Sequence, residues 1–272
     1  MSGSLLPLIV EPGDLEAALG ADNLLVVDVS AAASYQEGHV PGAVFLDYAG
    51  LLGGVPPATG RIAESAELSL SLSAIGLTPE SHVVAYDNQG NARASRLLWT
   101  LDVIGHDNFS LLNGGMLAWA AEGHGLETIA NAPAPSGYEV SETGDAVAGK
   151  RYILDHLGDD DVVILDVRSP AEFCGDDVRA ARGGHIPGAV NMDWTEAIDR
   201  GRNLRFKPEA ELRRMLDVLG VTPDKEVIAH CQTHHRSAHT YMVLKSLGYQ
   251  RIRGYDGSWS EWGNDADTPI ET

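Results

Sequence analysis

Val227-Ile228-Ala229-His230-Cys231-Gln232-Thr233-His234-His235-Arg236-Ser237 runs directly into Ala238-His239-Thr240-Tyr241-Met242-Val243-Leu244. An apolar run ends at a cysteine, a short polar loop follows, and an apolar helical pattern begins. This places a thiol at the C-terminal end of a strand, facing the N-terminus of a helix. Backbone N–H groups point into that space, and the helix dipole favours negative charge there. Arg236 adds a fixed positive charge, so a thiolate is favoured. A loop of this kind also folds into a cradle of amides that binds anions. The reading is a nucleophilic cysteine that handles an anionic group.

The flanking sequence extends this unit into a fold. Glu226 to His230 reads as a strand, and Glu209 to Leu219 has apolar positions at helical spacing. Val162-Val163-Ile164-Leu165 reads as a second, buried strand. Ser169-Pro170-Ala171-Glu172 has the form of a helix start: Ser as cap, Pro at the first helical position, Glu three residues after the cap. The alternation is βαβα, which implies an α/β fold with a parallel sheet flanked by helices on both faces. Ligands of such sheets lie at the carboxyl ends of the strands, where Cys231 falls.

The chain contains this pattern twice. Leu25-Val26-Val27-Asp28-Val29 matches Ile164-Leu165-Asp166-Val167, and Gly38-His39-Val40-Pro41-Gly42-Ala43-Val44 matches Gly184-His185-Ile186-Pro187-Gly188-Ala189-Val190. Asp47 matches Asp193, Gly76-Leu77-Thr78-Pro79 matches Gly220-Val221-Thr222-Pro223, and Trp119 matches Trp262. The order is preserved and the offset stays between 138 and 146, so the domain is duplicated. The offset grows by 8 between Asp28 and His39, which places an insertion in the second copy around Cys174 to Arg182. The expected organisation is residues 1–126, a linker at 127–149 containing Asn131-Ala132-Pro133-Ala134-Pro135-Ser136-Gly137, and residues 150–272. The length of 272 residues suits two domains, each with its own core.

The copies differ at the nucleophile. Registered on Gly-x-Thr-Pro, Val83-Val84-Ala85-Tyr86-Asp87 falls on Val227-Ile228-Ala229-His230-Cys231. A carboxylate at Asp87 cannot do thiol chemistry and is expected to repel an anion. The first copy reads as catalytically inactive, a scaffold or a wall of the site.

Charge narrows the function classes. The net charge of −20 argues against a nucleic-acid binder or a membrane-surface protein. Residues 1–130 hold 3 of the 19 Lys and Arg, so nearly all the positive charge lies in the half that carries Cys231. A locally basic pocket in an acidic protein suits a small anion. No apolar run reaches membrane-spanning length, and Met1 to Val10 does not read as a signal peptide. A disulfide between Cys174 and Cys231 would consume the thiol that the loop activates. The expectation is a reducing cytoplasm.

The Asp-x-Arg-Ser-x-x-Glu-Phe stretch from Asp166, the Gly-His-Ile-Pro-Gly-Ala run from Gly184, the Cys-x4-Arg-Ser loop from Cys231 and the Gly-Tyr-x-Gly-Ser-Trp run from Gly254 together resemble the rhodanese (thiosulfate sulfurtransferase) family. The resemblance covers essentially the whole chain, in the tandem form with an inactive first domain. The Cys-Gln-Thr-His-His-Arg-Ser loop is similar to that of a bacterial subgroup. It departs from the loops of animal thiosulfate sulfurtransferases and of mercaptopyruvate sulfurtransferases. The resemblance implies that Cys231 takes the outer sulfur of thiosulfate as a persulfide and passes it to cyanide or a thiol. It also implies that the loop residues Gln232, Thr233, His234, His235, Arg236 and Ser237 bind the substrate. The alternatives are a mercaptopyruvate sulfurtransferase and a persulfide carrier that delivers sulfur to a protein partner. No cofactor and no metal are implied, and the expected state is a monomer.

Other residues have structural readings. His39 and His185 recur in both copies, including the inactive one, which argues for a structural role, and Asp28 and Asp166 are read as acceptors for loop amides. Arg168 is an anion contact or a salt bridge, and Trp194 lies near the site or packs. His230, Cys231, His235 and His239 could suggest zinc. That set lacks a separated second ligand pair and would occupy the nucleophile. A cysteine phosphatase or arsenate reductase is the main rival enzyme. It uses a Cys-x5-Arg loop, whereas Cys231 to Arg236 is one residue shorter, a cradle suited to a single sulfur atom.

Overall fold

The computed structural model describes residues 4–140 and 144–272. Residues 1–3, part of the stretch read for a signal peptide, and 141–143, within the expected linker, lie outside the described residues. The chain divides into two compact units. The first gathers Met1–Leu51, Ala63–Gly144 and Asp199–Phe206; the second gathers Leu52–Ile62, Asp145–Ile198 and Lys207–Thr272. Neither unit is one continuous stretch, because hydrogen bonds claim the two short segments. The Phe206 N–H donates to Asn113 Oδ1 within the first unit, and the Ile62 N–H donates to Asp256 Oδ2 within the second, both at 2.9 Å.

The first unit carries a five-stranded sheet among the described residues. Its strands are β1 (Ile9–Val10), β2 (Leu24–Asp28), β3 (Val44–Phe45), β4 (His82–Tyr86) and β5 (Phe109–Leu112), in the order β1-β5-β4-β2-β3. The second unit repeats the inner part with β6 (Val162–Asp166), β7 (Val190–Asn191), β8 (Glu226–His230) and β9 (Ile252–Gly254), in the order β9-β8-β6-β7. Every pairing in both sheets is parallel. β4 and β8 are buried at all five positions. That is why they read as continuous apolar runs: helices cover both faces of each sheet.

The register aligns the two copies residue by residue. Asp28 lies opposite Tyr86 in the first sheet and Asp166 opposite His230 in the second. The next residues after those inner strands are Asp87 and Cys231. Trp119 is fully buried in the first core with Val10, Val26, Val84 and Leu112. Trp259 and Trp262 are fully buried in the second with Ile164, Ile228 and Tyr255. Each such indole removes roughly 200 Å² from water, on the order of 5 kcal/mol as an upper estimate.

Ser169 caps the helix Pro170–Cys174 with a full capping box. The Glu172 N–H donates to Ser169 Oγ, and the Ser169 N–H donates back to Glu172 Oε2. The recurring histidines are structural in both units. His39 stacks on Tyr35 at 3.8 Å between ring centres and meets its carbonyl through Nδ1; His185 does the same to Phe173, at 3.7 Å. The inserted residues lie between Phe173 and His185, so the extra length loops out while the stack is kept. Part of the expected linker is bonded to a helix: the Gly137 and Val140 N–H groups donate to Ser73 Oγ and Ser69 Oγ of Ser65–Ala74.

Candidate active site

β8 delivers Cys231, and the helix Arg236–Ser246 begins five residues later. To turn that tightly, His234 adopts a left-handed backbone with φ of 59°. Such a conformation costs an L-residue roughly 1–2 kcal/mol, so surrounding contacts must hold it. The loop is pinned from behind. The Trp259 N–H donates to the Cys231 carbonyl and the Ser260 N–H to the Gln232 carbonyl, both at 3.0 Å. The Cys231 N–H reaches Ser258 Oγ at 3.4 Å.

Gly60 braces the loop from another side. A Cβ built there would lie 2.4 Å from the Thr233 carbonyl oxygen and 2.8 Å from its Cα. Only a hydrogen fits at that approach. Sequence reasoning missed Gly60, which stands 173 residues before Thr233 in the unremarkable run Ala58-Thr59-Gly60-Arg61.

Donors converge on the Cys231 sulfur, which is 1 % exposed. The Ser237 hydroxyl donates to Sγ at 3.4 Å. Burial opposes ionisation of the thiol. The Arg236 charge, the Ser237 hydroxyl and the amides of Ser237 and Thr233 outweigh it and hold the thiol below its ordinary value.

Arg236 is itself held. Its Nη1 and Nη2 donate to Glu172 Oε2 and Oε1 at 2.7 and 2.9 Å. Burial opposes the Glu172 charge, but the Arg236 hydrogen bonds and charge prevail and hold the carboxyl down at about 2. The capping role of Glu172 was readable from Ser169-Pro170-Ala171-Glu172, whereas its pairing with Arg236 was not. Arg179, in the inserted stretch, places Nε 3.7 Å from Glu172 Oε1, and its carbonyl accepts from Gln232 Nε2 at 3.0 Å.

The expected site residues separate by burial. Gln232, Thr233, His235 and Arg236 are partly exposed at the rim, with His235 Nδ1 3.2 Å from Thr233 Oγ1. His234 and Ser237 are fully buried beside the sulfur. His230 and His239 are buried behind the loop. His230 Nε2 lies 3.6 Å from Asp166, and burial pushes the imidazole below its usual value. His239 is pushed down by burial to about 3 and meets Trp194 edge-on at 5.2 Å, so that face of Trp194 packs. Among the described residues no group of His, Cys, Asp and Glu is arranged to hold a metal. Cys174 is exposed and both cysteines are free thiols.

One expectation is decided between its two alternatives, and another changes. Arg168 forms the salt bridge, buried rather than at the surface, and not the anion contact. It is 1 % exposed, grips Asp166 through Nε and Nη2, donates to the Gly184 carbonyl and lies over the Trp259 ring. Asp166 also accepts the Arg168 N–H, and Asp28 accepts the Ser30 N–H, so both close their loops. Asp87 does not act as a bare repulsive charge. Its Oδ1 accepts the N–H groups of Gln89 and Asn91 at 2.8 Å, and its Oδ2 accepts those of Arg93 and Ala94 at 2.9 and 3.2 Å. The carboxylate fills the anion cradle of its own loop.

Known proteins carry the same arrangement of sequence. A thiosulfate sulfurtransferase of Pseudomonas aeruginosa is 46 % identical over 98 % of this chain and 97 % of its own. One of Azotobacter vinelandii is 48 % identical over the same shares. The sulfur carrier protein TtuD of Thermus thermophilus is 33 % identical over 87 % of this chain and 86 % of its own. The anaerobic ergothioneine biosynthesis enzyme of Chlorobium limicola, solved with trimethyl histidine, matches in fold. Its TM-score is 0.85 and its identity 22 %, covering 97 % of this chain and 70 % of that one. The family model of the Rhodanese-like domain matches residues 11–122 and again 150–265, and the chain therefore belongs to that family as a tandem of two such domains.

Proposed function

We propose that the chain is a sulfurtransferase that moves the outer sulfur of thiosulfate to cyanide or a thiol through a persulfide on Cys231. The Cys231 thiolate attacks the outer sulfur, the S–S bond of thiosulfate breaks, and sulfite leaves with the electron pair. The acceptor then attacks the terminal persulfide sulfur and the thiolate is restored, a ping-pong sequence. The observation that carries this reading is the convergence of the Arg236 charge, the Ser237 hydroxyl and the amides of Thr233 and Ser237 on one buried sulfur. The same donors suit the terminal persulfide sulfur, which bears negative charge. The half-buried rim of Gln232, Thr233, His235 and Arg236 suits the sulfonate end of the donor. The names of the relatives from Pseudomonas aeruginosa and Azotobacter vinelandii support thiosulfate as donor.

A second reading, delivery of the persulfide to a protein acceptor, is favoured by the likeness to TtuD, which is named a sulfur carrier. The same residues serve both. Two free thiols fit a reducing compartment, which we take to be the cytoplasm. No helix among the described residues is long and apolar enough to cross a membrane. The test is mass spectrometry after addition of thiosulfate. One added sulfur atom on the peptide containing Cys231 is expected, and it should disappear on addition of cyanide. An unmodified Cys231 peptide under these conditions would exclude the reading.

A further inference from the structure

We propose that His234 is the proton acceptor of Cys231, acting through the Ser237 hydroxyl. Three buried atoms form a chain: Cys231 Sγ lies 3.4 Å from Ser237 Oγ, and Ser237 Oγ lies 2.7 Å from His234 Nδ1. His234 and Ser237 are fully buried, and Cys231 is 1 % exposed. The left-handed backbone of His234 belongs to the tight turn that brings its imidazole to Ser237. Strain of this kind persists where surrounding structure imposes it; the first copy makes the same turn with Gly90, so what is particular to this loop is the imidazole that the turn presents to Ser237.

The single hydrogen of Ser237 makes the chain directional. With the thiol protonated, S–H donates to Oγ and the hydroxyl donates to Nδ1. On ionisation the sulfur proton passes to Oγ while the hydroxyl proton passes to Nδ1. The products are a thiolate that accepts from Ser237 and an imidazolium whose Nδ1–H donates to Ser237. No atom is gained or lost, and the new negative charge forms with a positive charge two hydrogen bonds away. Burial raises the cost of an isolated thiolate, so a matched buried cation is an effective compensation.

Of the other charged and titratable groups around the loop, Arg236 acts on the sulfur through its charge, and His239 on the same helix is buried against Trp194. Arg236, at the start of the helix, is paired with Glu172 from Pro170–Cys174. His230, at the end of β8, faces Asp166, and His235 faces Thr233 Oγ1. Arg236 supplies fixed charge but cannot take up a proton. In this scheme His234 and Ser237 are positioning and proton-relay residues, and Cys231 alone carries sulfur. The inference rests on Cys231 as the sulfur carrier only for its relevance to turnover. The relay itself is read on the free thiol, without any sulfur donor.

The experiment measures the rate of Cys231 alkylation by iodoacetamide against pH, in a Cys174→Ser background so that one thiol reports. His234→Asn is the informative variant. Asn tolerates the left-handed backbone and can hydrogen-bond Ser237, but it cannot accept the proton. The midpoint of the profile should rise by about one pH unit, with the rate at neutral pH falling about tenfold and the alkaline plateau kept. Ser237→Ala should produce a similar rise with His234 intact, and the double variant should shift no further than either single one. A His234→Asn profile that superimposes on the parent, a Ser237→Ala profile without a shift, or a double shift equal to the sum of the singles would each overturn the relay. If one variant fails to fold, the profile of the other decides alone. Failure of thiosulfate to load sulfur onto a thiol with the expected profile would count against the sulfurtransferase reading and leave the relay intact.

Discussion

Glu172 and Arg236 are joined by two parallel hydrogen bonds of 2.7 and 2.9 Å, and Glu172 is 1 % exposed. The carboxylate keeps the guanidinium from swinging into solvent, and the guanidinium lowers the Glu172 carboxyl from 4.5 to about 2. A depressed folded-state value stabilises the fold above the unfolded value and ceases to do so as pH falls through the folded one. The contribution is therefore complete above about pH 5 and lost between about pH 4.5 and 2. Its size is on the order of 3 kcal/mol. Glu172→Gln should lose that amount at neutral pH and show a flatter stability profile across the acid range. Urea unfolding at a series of pH values measures both, and wild-type stability of the variant at pH 7 would contradict the assignment.

Cys231→Ser should reduce cyanide-dependent thiocyanate formation by about a thousandfold or more, since the proposed nucleophile is gone. Cys174→Ser should leave it near wild type, because Cys174 is exposed at the end of its helix. Assays of the two purified variants side by side decide. Substantial turnover by Cys231→Ser would move the sulfur-carrying role elsewhere.

Gly60→Ala should slow sulfur transfer with the fold retained. The Gly60 backbone lies outside the left-handed region, so the effect is steric: the new methyl group must displace Thr233. A loop shift approaching 1 Å costs about ten- to a hundredfold in turnover. Steady-state kinetics together with a thermal melt check this. Unchanged turnover would show that Thr233 yields without disturbing the sulfur.

Asp87→Ala should destabilise the first unit. Four N–H groups lose their acceptor, and the net cost is about 2–4 kcal/mol. Asp87→Asn, which keeps one acceptor oxygen, should fall between. Sulfur transfer at room temperature should persist, because the Cys231 loop is untouched. The measurement is denaturant unfolding alongside the activity assay. An Asp87→Ala protein as stable as wild type would mean that water replaces the carboxylate without loss.

What was legible in the sequence was local. Glu226–His230 is a strand in the bounds read from its apolar run, and Ser169-Pro170-Ala171-Glu172 forms the cap that its spacing announces. Such features are decided by residues a few positions apart. The duplication was legible because two domains with the same register keep the same residues at the same turns, as His39 and His185 do on their aromatic partners. The approach of Gly60 to Thr233 and the grip of Glu172 on Arg236 were not legible, since each joins residues far apart in the chain and neither leaves a local pattern. Arg168 was legible only as a choice between an anion contact and a salt bridge, because Asp166 and Trp259, which decide for the buried salt bridge, are brought around it by the fold.

Asp87 makes the loop of the first domain resistant to a change of chemistry. A thiol placed at that position by a single substitution would enter a loop whose amides are arranged around two oxygens. Such a change would surrender four hydrogen bonds before any benefit of a nucleophile was felt. The first loop is thus committed to its own carboxylate, and what steadies that unit is the same set of amides that surrounds the sulfur in the other.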